Sequence, residues 1–238
     1  MTAGSIQNRE TFLNNVAKHL GRERIYGDVV KPEWQHQPQW KVMDTFSQDD
    51  LLEVMKIQCT KIHTDLVETD VDNLSTALAD VVEQYGSKSI VSWDDFRFKE
   101  YGLDSYLNRE DAPFSFHEWN SDAGRKNIDL AEQADLGITF SDVTLAESGT
   151  VVLFSDEGKG RAVSLLPAAY IAIVPKSTIV PRMSQATRLI HEKAENGERF
   201  PTCINFISGP SNSADIEMSL VVGVHGPIKA TYIVVTDR

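Results

Sequence analysis

"LVETDVDNLSTALADVVEQYGSKSIVSW", residues 66–93, decides the fold. "LVET" reads as a short strand, "DNLSTALADVVEQYG" as a helix stopped by its glycine, and "KSIVSW" as a second strand. The same alternation continues outward. "FSFHEW" is a strand, "GRKNIDLAEQA" a helix and "LGITFS" a strand. Strands separated by helices of this length imply a mostly parallel sheet covered on both faces, with right-handed crossovers. After residue 141, short β-branched runs alternate with Gly, Pro and Asp/Ser turns, so antiparallel hairpin additions are expected. "SQATRLIHEKAENG" is the last long helix, "TCINFI" a buried core strand and "ATYIVVTD" a closing strand.

Toward the N-terminus, Ser47 and Asp50 mark the start of a helix whose Leu51, Leu52, Met55 and Ile62 favour one face. Ahead of it, "RERIYGDVVKPEWQHQPQWKVMDTF" has neither helical nor alternating period and reads as an extended arm. Its Trp34 and Trp40 need a surface, on this chain or on a partner. A first helix, carrying Phe12, Leu13 and Val16 and ending at Gly21, precedes the arm. The division expected is therefore an N-terminal helix and arm over 1–46 and an α/β domain over 47–238.

Composition narrows the function classes. The net charge of −12 is uneven: residues 1–148 carry 14 Lys/Arg against 27 Asp/Glu, and residues 149–238 carry 9 against 8. Neither part attracts a polyanion, which argues against nucleic acid as partner. The apolar runs are too short to span a membrane, and no basic start followed by an apolar stretch marks a secretory signal. Cytoplasmic residence and no membrane insertion are the expectations. Cys59 and Cys203 stand far apart and form no C-x-x-C pair, so the chain alone does not supply an iron–sulfur cluster or a four-cysteine zinc site. Within its strand Cys203 is expected to act as a small buried apolar thiol.

Two stretches gather polar groups. "ISGPSNSADIEMSLVVGVHGP" (207–227) leaves a strand through Gly209-Pro210, and "NSADIEMSL" is read as a helix start beyond a strand's carboxyl end. There, free N–H groups with Ser211 and Ser213 would attract an anion. Asp215 and Glu217 oppose that anion and equally suit a well-capped structural helix. His225, between turns, has a pKa suited to proton transfer, and Gly226 follows it. In the second stretch, "TLAESGTVVLF", Glu147 sits at a hairpin turn, where a carboxylate serves as base, nucleophile or hydroxyl-binding group, or is simply a solvated turn residue. Arg161 is the nearest planar fork for a substrate carboxylate. No metal-ligand spacing is recognised, and no P-loop, G-x-S-x-G elbow or dinucleotide fingerprint is present.

Together "ITFSDVTLAESGTVVLFS", "RAVSLLPAAYIAIVP" and "ISGPSNSADIEMSLVVGVHGP" resemble, in order, the LUD domain and within it the lactate utilisation protein C family. The resemblance implies a sheet like that of the NagB/RpiA/CoA-transferase-like fold and a role in L-lactate degradation. Iron–sulfur clusters are then expected on partner lactate utilisation subunits, with no cofactor of this chain's own and a small carboxylate as ligand. On this reading Glu147, Asp215 and His225 are catalytic, and Arg161, Gly209, Ser211, Ser213, Glu217 and Gly226 bind substrate around one pocket. Two alternatives stay open: a free-standing CoA-transferase-like enzyme using Glu147 on an acyl or phosphorylated small molecule, and a non-catalytic assembly subunit.

Overall fold

The computed structural model describes residues 6–237, except 29, 31, 34, 217 and 218. It forms two compact units, Met1–Pro38 and Gln39–Arg238. In the first, helix α1 (Arg9–His19) is braced by Arg24, whose guanidinium pairs with Glu10 at 2.5 Å and donates to Asn14 Oδ1 at 3.1 Å. Trp34 lies outside the described residues.

The larger unit opens with α2 (Gln48–Lys61). Ser47 Oγ accepts the Asp50 N–H at 3.2 Å and the Asp50 carboxylate accepts the Ser47 N–H at 2.9 Å, so two otherwise orphaned donors are satisfied reciprocally. The helix buries Leu51, Leu52, Met55 and Cys59. There follow β1 (Asp65–Asp70), α3 (Leu74–Tyr85), β2 (Ser89–Ser92), α4 (Arg97–Glu100), α5 (Asp104–Leu107), β3 (Ser115–Glu118), α6 (Arg125–Gln133) and β4 (Leu136–Phe140). The chain continues through β5 (Val143–Leu145), β6 (Thr150–Ser155), α7 (Ala162–Leu165), β7 (Ala169–Pro175), β8 (Ile179–Val180) and α8 (Met183–Glu195). The last elements are β9 (Cys203–Ile207), β10 (Asn212–Ile216), β11 (Ser219–Val222) and β12 (Lys229–Thr236). Trp40 lies under the Arg188 guanidinium of α8, 3.6 Å from the ring centroid, so this arm tryptophan finds its surface within the chain.

Six strands form one sheet in the order β1-β12-β7-β4-β2-β3, and every pairing in it is parallel. Every residue of β4 and β7 is buried, as expected where helices and a second layer cover both faces. The later hairpins build a separate four-stranded sheet, β8-β5-β6-β9, in which β6 runs antiparallel to β5 and β9. The fold is thus α/β with a parallel centre and antiparallel additions.

Two local expectations are corrected. β9 is an edge strand of the smaller sheet, not a central core strand; Phe206 is exposed and Cys203 is only partly buried. "NSADIEMSL" forms no helix over its described residues. Asn212 pairs with Val222 and Ser213 with Val221 in the antiparallel hairpin β10-β11, which carries a bulge. The β-branched pair Val221-Val222 suits a strand, and this preference outweighed the capping signal of Ser, Asp and Glu.

Candidate functional site

The polar turns assemble at the amino edge of the parallel sheet. β9 belongs to the smaller sheet, so its exit does not reach the parallel strands' carboxyl ends. The Ser211 N–H donates to Pro227 O at 2.8 Å, just ahead of β12, and the Ile228 N–H donates to Ala168 O at 2.8 Å, just ahead of β7. The helix-start anion site expected at a carboxyl end is therefore absent from this segment's described residues.

At this edge the Glu147 turn meets the β9 exit. Ser148 and Thr150 share a hydroxyl hydrogen bond at 2.6 Å, and Thr150 and Ser208 share another at 2.7 Å. Glu147 is exposed; its N–H donates to Pro181 O at 3.0 Å and its carboxylate accepts Arg182 Nε at 2.9 Å. Gly209 is buried with φ +71°, and a Cβ there would lie 2.5 Å from Ile62 O, so glycine alone fits. Its N–H donates to the Tyr232 hydroxyl at 2.9 Å, which donates to Ile207 O at 3.2 Å. Burial pushes the Tyr232 hydroxyl pKa strongly up, so this phenol stays neutral and acts as a structural clip.

The Ser211 carbonyl accepts the Gly223 N–H at 2.8 Å, tying the hairpin to the turn after it. Gly226 packs so closely that a Cβ would sit 3.1 Å from Ser211 Cβ and 3.2 Å from Leu165 O. His225 is exposed, and its ring makes no hydrogen bond among the described residues. Ser213 and the backbone of Asp215 belong to β10, while Glu217 lies outside the described residues.

Arg161 does not join Glu147. The Glu147 turn leads into β6, and Arg161 follows the loop beyond the other end of that strand, opening α7. Its side chain is exposed and makes no hydrogen bond or ion pair among the described residues.

The carboxyl edge holds a second cluster that sequence reasoning missed. Asp95 follows β2, Asp142 follows β4, and Lys159 lies in the loop after β6. Arg97 Nη2 contacts Asp95 at 2.6 Å and Asp142 at 2.9 Å, its Nη1 donates to Ser141 O at 3.1 Å, and Lys159 Nζ lies 3.0 Å from Asp95. The side chain of Asp95 is fully buried. Burial alone would raise its pKa, yet the hydrogen bonds and charge of Arg97, with Lys159, hold it below the usual carboxylate range. For Asp142 burial wins, and its pKa stays raised despite Arg97, Lys159 and the Phe154 N–H. Two neighbouring carboxylates thus have pKa values displaced in opposite directions, a pattern associated with functional sites.

Two indoles hold the loop that brings in Lys159. Trp93 Nε1 donates to Gly160 O at 2.9 Å and Trp119 Nε1 donates to Glu157 O at 3.1 Å. Clefts of about 440 and 430 Å³ flank this loop, sharing Ser155, Asp156, Lys159 and Thr202. The available signal was acids placed directly after two strands, "SWDD" and "TFSD". Among the described residues no group of three or more His, Cys, Asp or Glu is placed to hold a metal ion.

Comparison with known proteins fits this architecture. A crystal structure of a DUF162 family protein from Deinococcus radiodurans superposes with a TM-score of 0.53 at 18% identity, covering 80% of this chain and 99% of that one, which supports the fold. "Lactate utilization protein C" of Geobacillus sp. (strain WCH70) is 61% identical over the full length of both chains. The protein of the same name from Bacillus subtilis (strain 168) is 57% identical, again over both full lengths. Residues 52–235 match the LUD domain, and this chain belongs to the LUD domain family.

Proposed function

We propose that this chain takes part in lactate utilisation, as a component of a system that oxidises L-lactate to pyruvate and supports growth on L-lactate. One observation carries the reading: end-to-end similarity, at 57–61% identity, to proteins named for lactate utilisation. Oxidation of the hydroxy acid releases two electrons and two protons. In this reading the electrons pass to iron–sulfur clusters on partner subunits, as the family resemblance implies; the two separated cysteines of this chain fit that division. Cytoplasmic residence and a small carboxylate ligand belong to the same proposal.

In this reading the amino-edge turns are the working surface. Glu147, Asp215 and His225 handle protons, and Gly209, Ser211, Ser213, Glu217 and Gly226 shape the place where the small acid sits. Arg182 holds the Glu147 carboxylate in place at 2.9 Å. An assembly role is favoured by a separate observation: Leu220, Val224 and Ile228, on and just after the same hairpin, are all exposed. Such side chains around His225 suit contact with a partner subunit.

The test is genetic. A strain lacking this chain and any paralogue should fail to grow on L-lactate while growing normally on glucose, and the intact gene should restore growth. Normal growth on L-lactate without it would remove the assignment.

A further inference from the structure

The cleft beside Arg161 has room for a ligand larger than a three-carbon hydroxy acid. It measures about 430 Å³, within the range typical of sites for ligands far larger than lactate. Its walls are amphiphilic. Ile128, Leu165 and Leu166 are exposed there, and Trp119 forms a flat, half-buried side. The indole lies directly on the Gly160 backbone; a Cβ at 160 would sit 2.2 Å from its ring carbons. With its N–H fixed on Glu157 O, the ring is a preset platform.

One cation at this cleft is free to hold an anionic group. Lys159 is taken by Asp95 at 3.0 Å, Arg97 by Asp95 and Asp142, and Arg199 by Glu157 at 2.5 Å. Asp156 also lines the cleft and keeps its charge while accepting the Gly158 N–H at 2.8 Å, so the anionic group must sit on the Arg161 side. Arg161 alone among the cations of this cleft's walls is left without a partner among the described residues. We propose that this cleft binds an amphiphilic anion, its aromatic or medium-chain acyl body against Trp119, Leu165 and Leu166 and its anionic group on Arg161. The cleft lies away from the Glu147 turn, although its Leu165 backs onto Gly226, and its ligand selectivity is read separately from the lactate assignment.

The chain carries its own reporter. Cys203 lines this cleft, while Cys59 is buried with its thiol pushed up to about 12 and so stays unreactive near neutral pH. With the full-length protein, the probe is 1-anilinonaphthalene-8-sulfonate, followed by fluorescence, with Cys203 alkylation mapped by mass spectrometry. Saturable binding should slow Cys203 alkylation. Octanoate should displace the probe, and L-lactate at equal concentration should not. Arg161→Ala should weaken probe binding by about tenfold or more through loss of a charge-assisted contact. Gly160→Ala, which displaces Trp119, should also weaken it, with thermal melting confirming that either variant folds. Probe affinity unchanged in Arg161→Ala, Cys203 alkylation unaffected by saturating probe, or displacement by lactate as effective as by octanoate would overturn the proposal.

Discussion

At the carboxyl edge of the parallel sheet, two acids and two cations converge from distant points in the chain, and side-chain charge holds the region together. At the amino edge the cohesion comes from backbone turns and hydroxyls: Gly209 on Tyr232, Ser211 on Pro227, Thr150 on Ser208. The contrast teaches that order and chemistry are distributed differently. Charges at the carboxyl edge are largely buried and spent mainly on one another, whereas at the amino edge Glu147, paired with Arg182, and His225 are exposed.

The largest effect should come from breaking the carboxyl-edge network. Arg97→Ala leaves the fully buried Asp95 with Lys159 alone and should destabilise the fold by about 3–5 kcal/mol in chemical denaturation. A loss no larger than that of an exposed ion pair would show that the cluster is not a structural unit. Next in size is Gly209→Ala, which forces a side chain into a φ of +71° against Ile62 O and should cost about 1–3 kcal/mol. A neutral result would mean the β9 exit can relax, and the amino edge would not be the rigid turn described.

The smallest effect sharpens the difference between the two acids. The folded Asp142 pKa is raised, so its contribution to stability is present below its ordinary value of 3.8 and is lost as pH rises through the folded value. Asp95, lowered, behaves oppositely: its contribution is present above its ordinary value of 3.8 and is lost as pH falls through the folded one. Asp142→Asn keeps an acceptor for Arg97 but sets its amide NH2 against the Phe154 N–H, while relief of the buried charge offsets that loss, so stability at pH 7 should change by only about 1 kcal/mol. Relative to wild type, any gain at pH 7 should shrink as pH falls towards 4. Denaturation curves at several pH values check this, and a large loss at pH 7 would reverse the assignment of the two acids.

Most of the fold was legible because its signals are local. The run from Leu66 to Trp93 fixes strand, helix, glycine stop and strand within a short window, and Ser47 with Asp50 announces a helix that the structure caps as written. The motif turns were legible for the same reason, since glycine, proline and serine cluster there. The misreadings are long-range. Nothing local says that β9 sits at an edge or that its exit turns toward the amino ends, because strand order is set by distant pairings such as Val151 with Ile207. The hairpin over "NSADIEMSL" was hidden by cap-forming residues that suit a helix start and a turn equally. Arg97 bridging Asp95 and Asp142 was invisible, because 45 positions separate Arg97 from Asp142 and only the sheet brings them together.

The most direct test uses the strain lacking this chain, complemented with the double variant Glu147→Gln/His225→Ala and grown on L-lactate as carbon source. If the amino-edge turns are the working surface, the variant should melt as wild type does, because both side chains are exposed, and should fail to restore growth. Growth at the wild-type rate, with protein levels matched, would contradict the account.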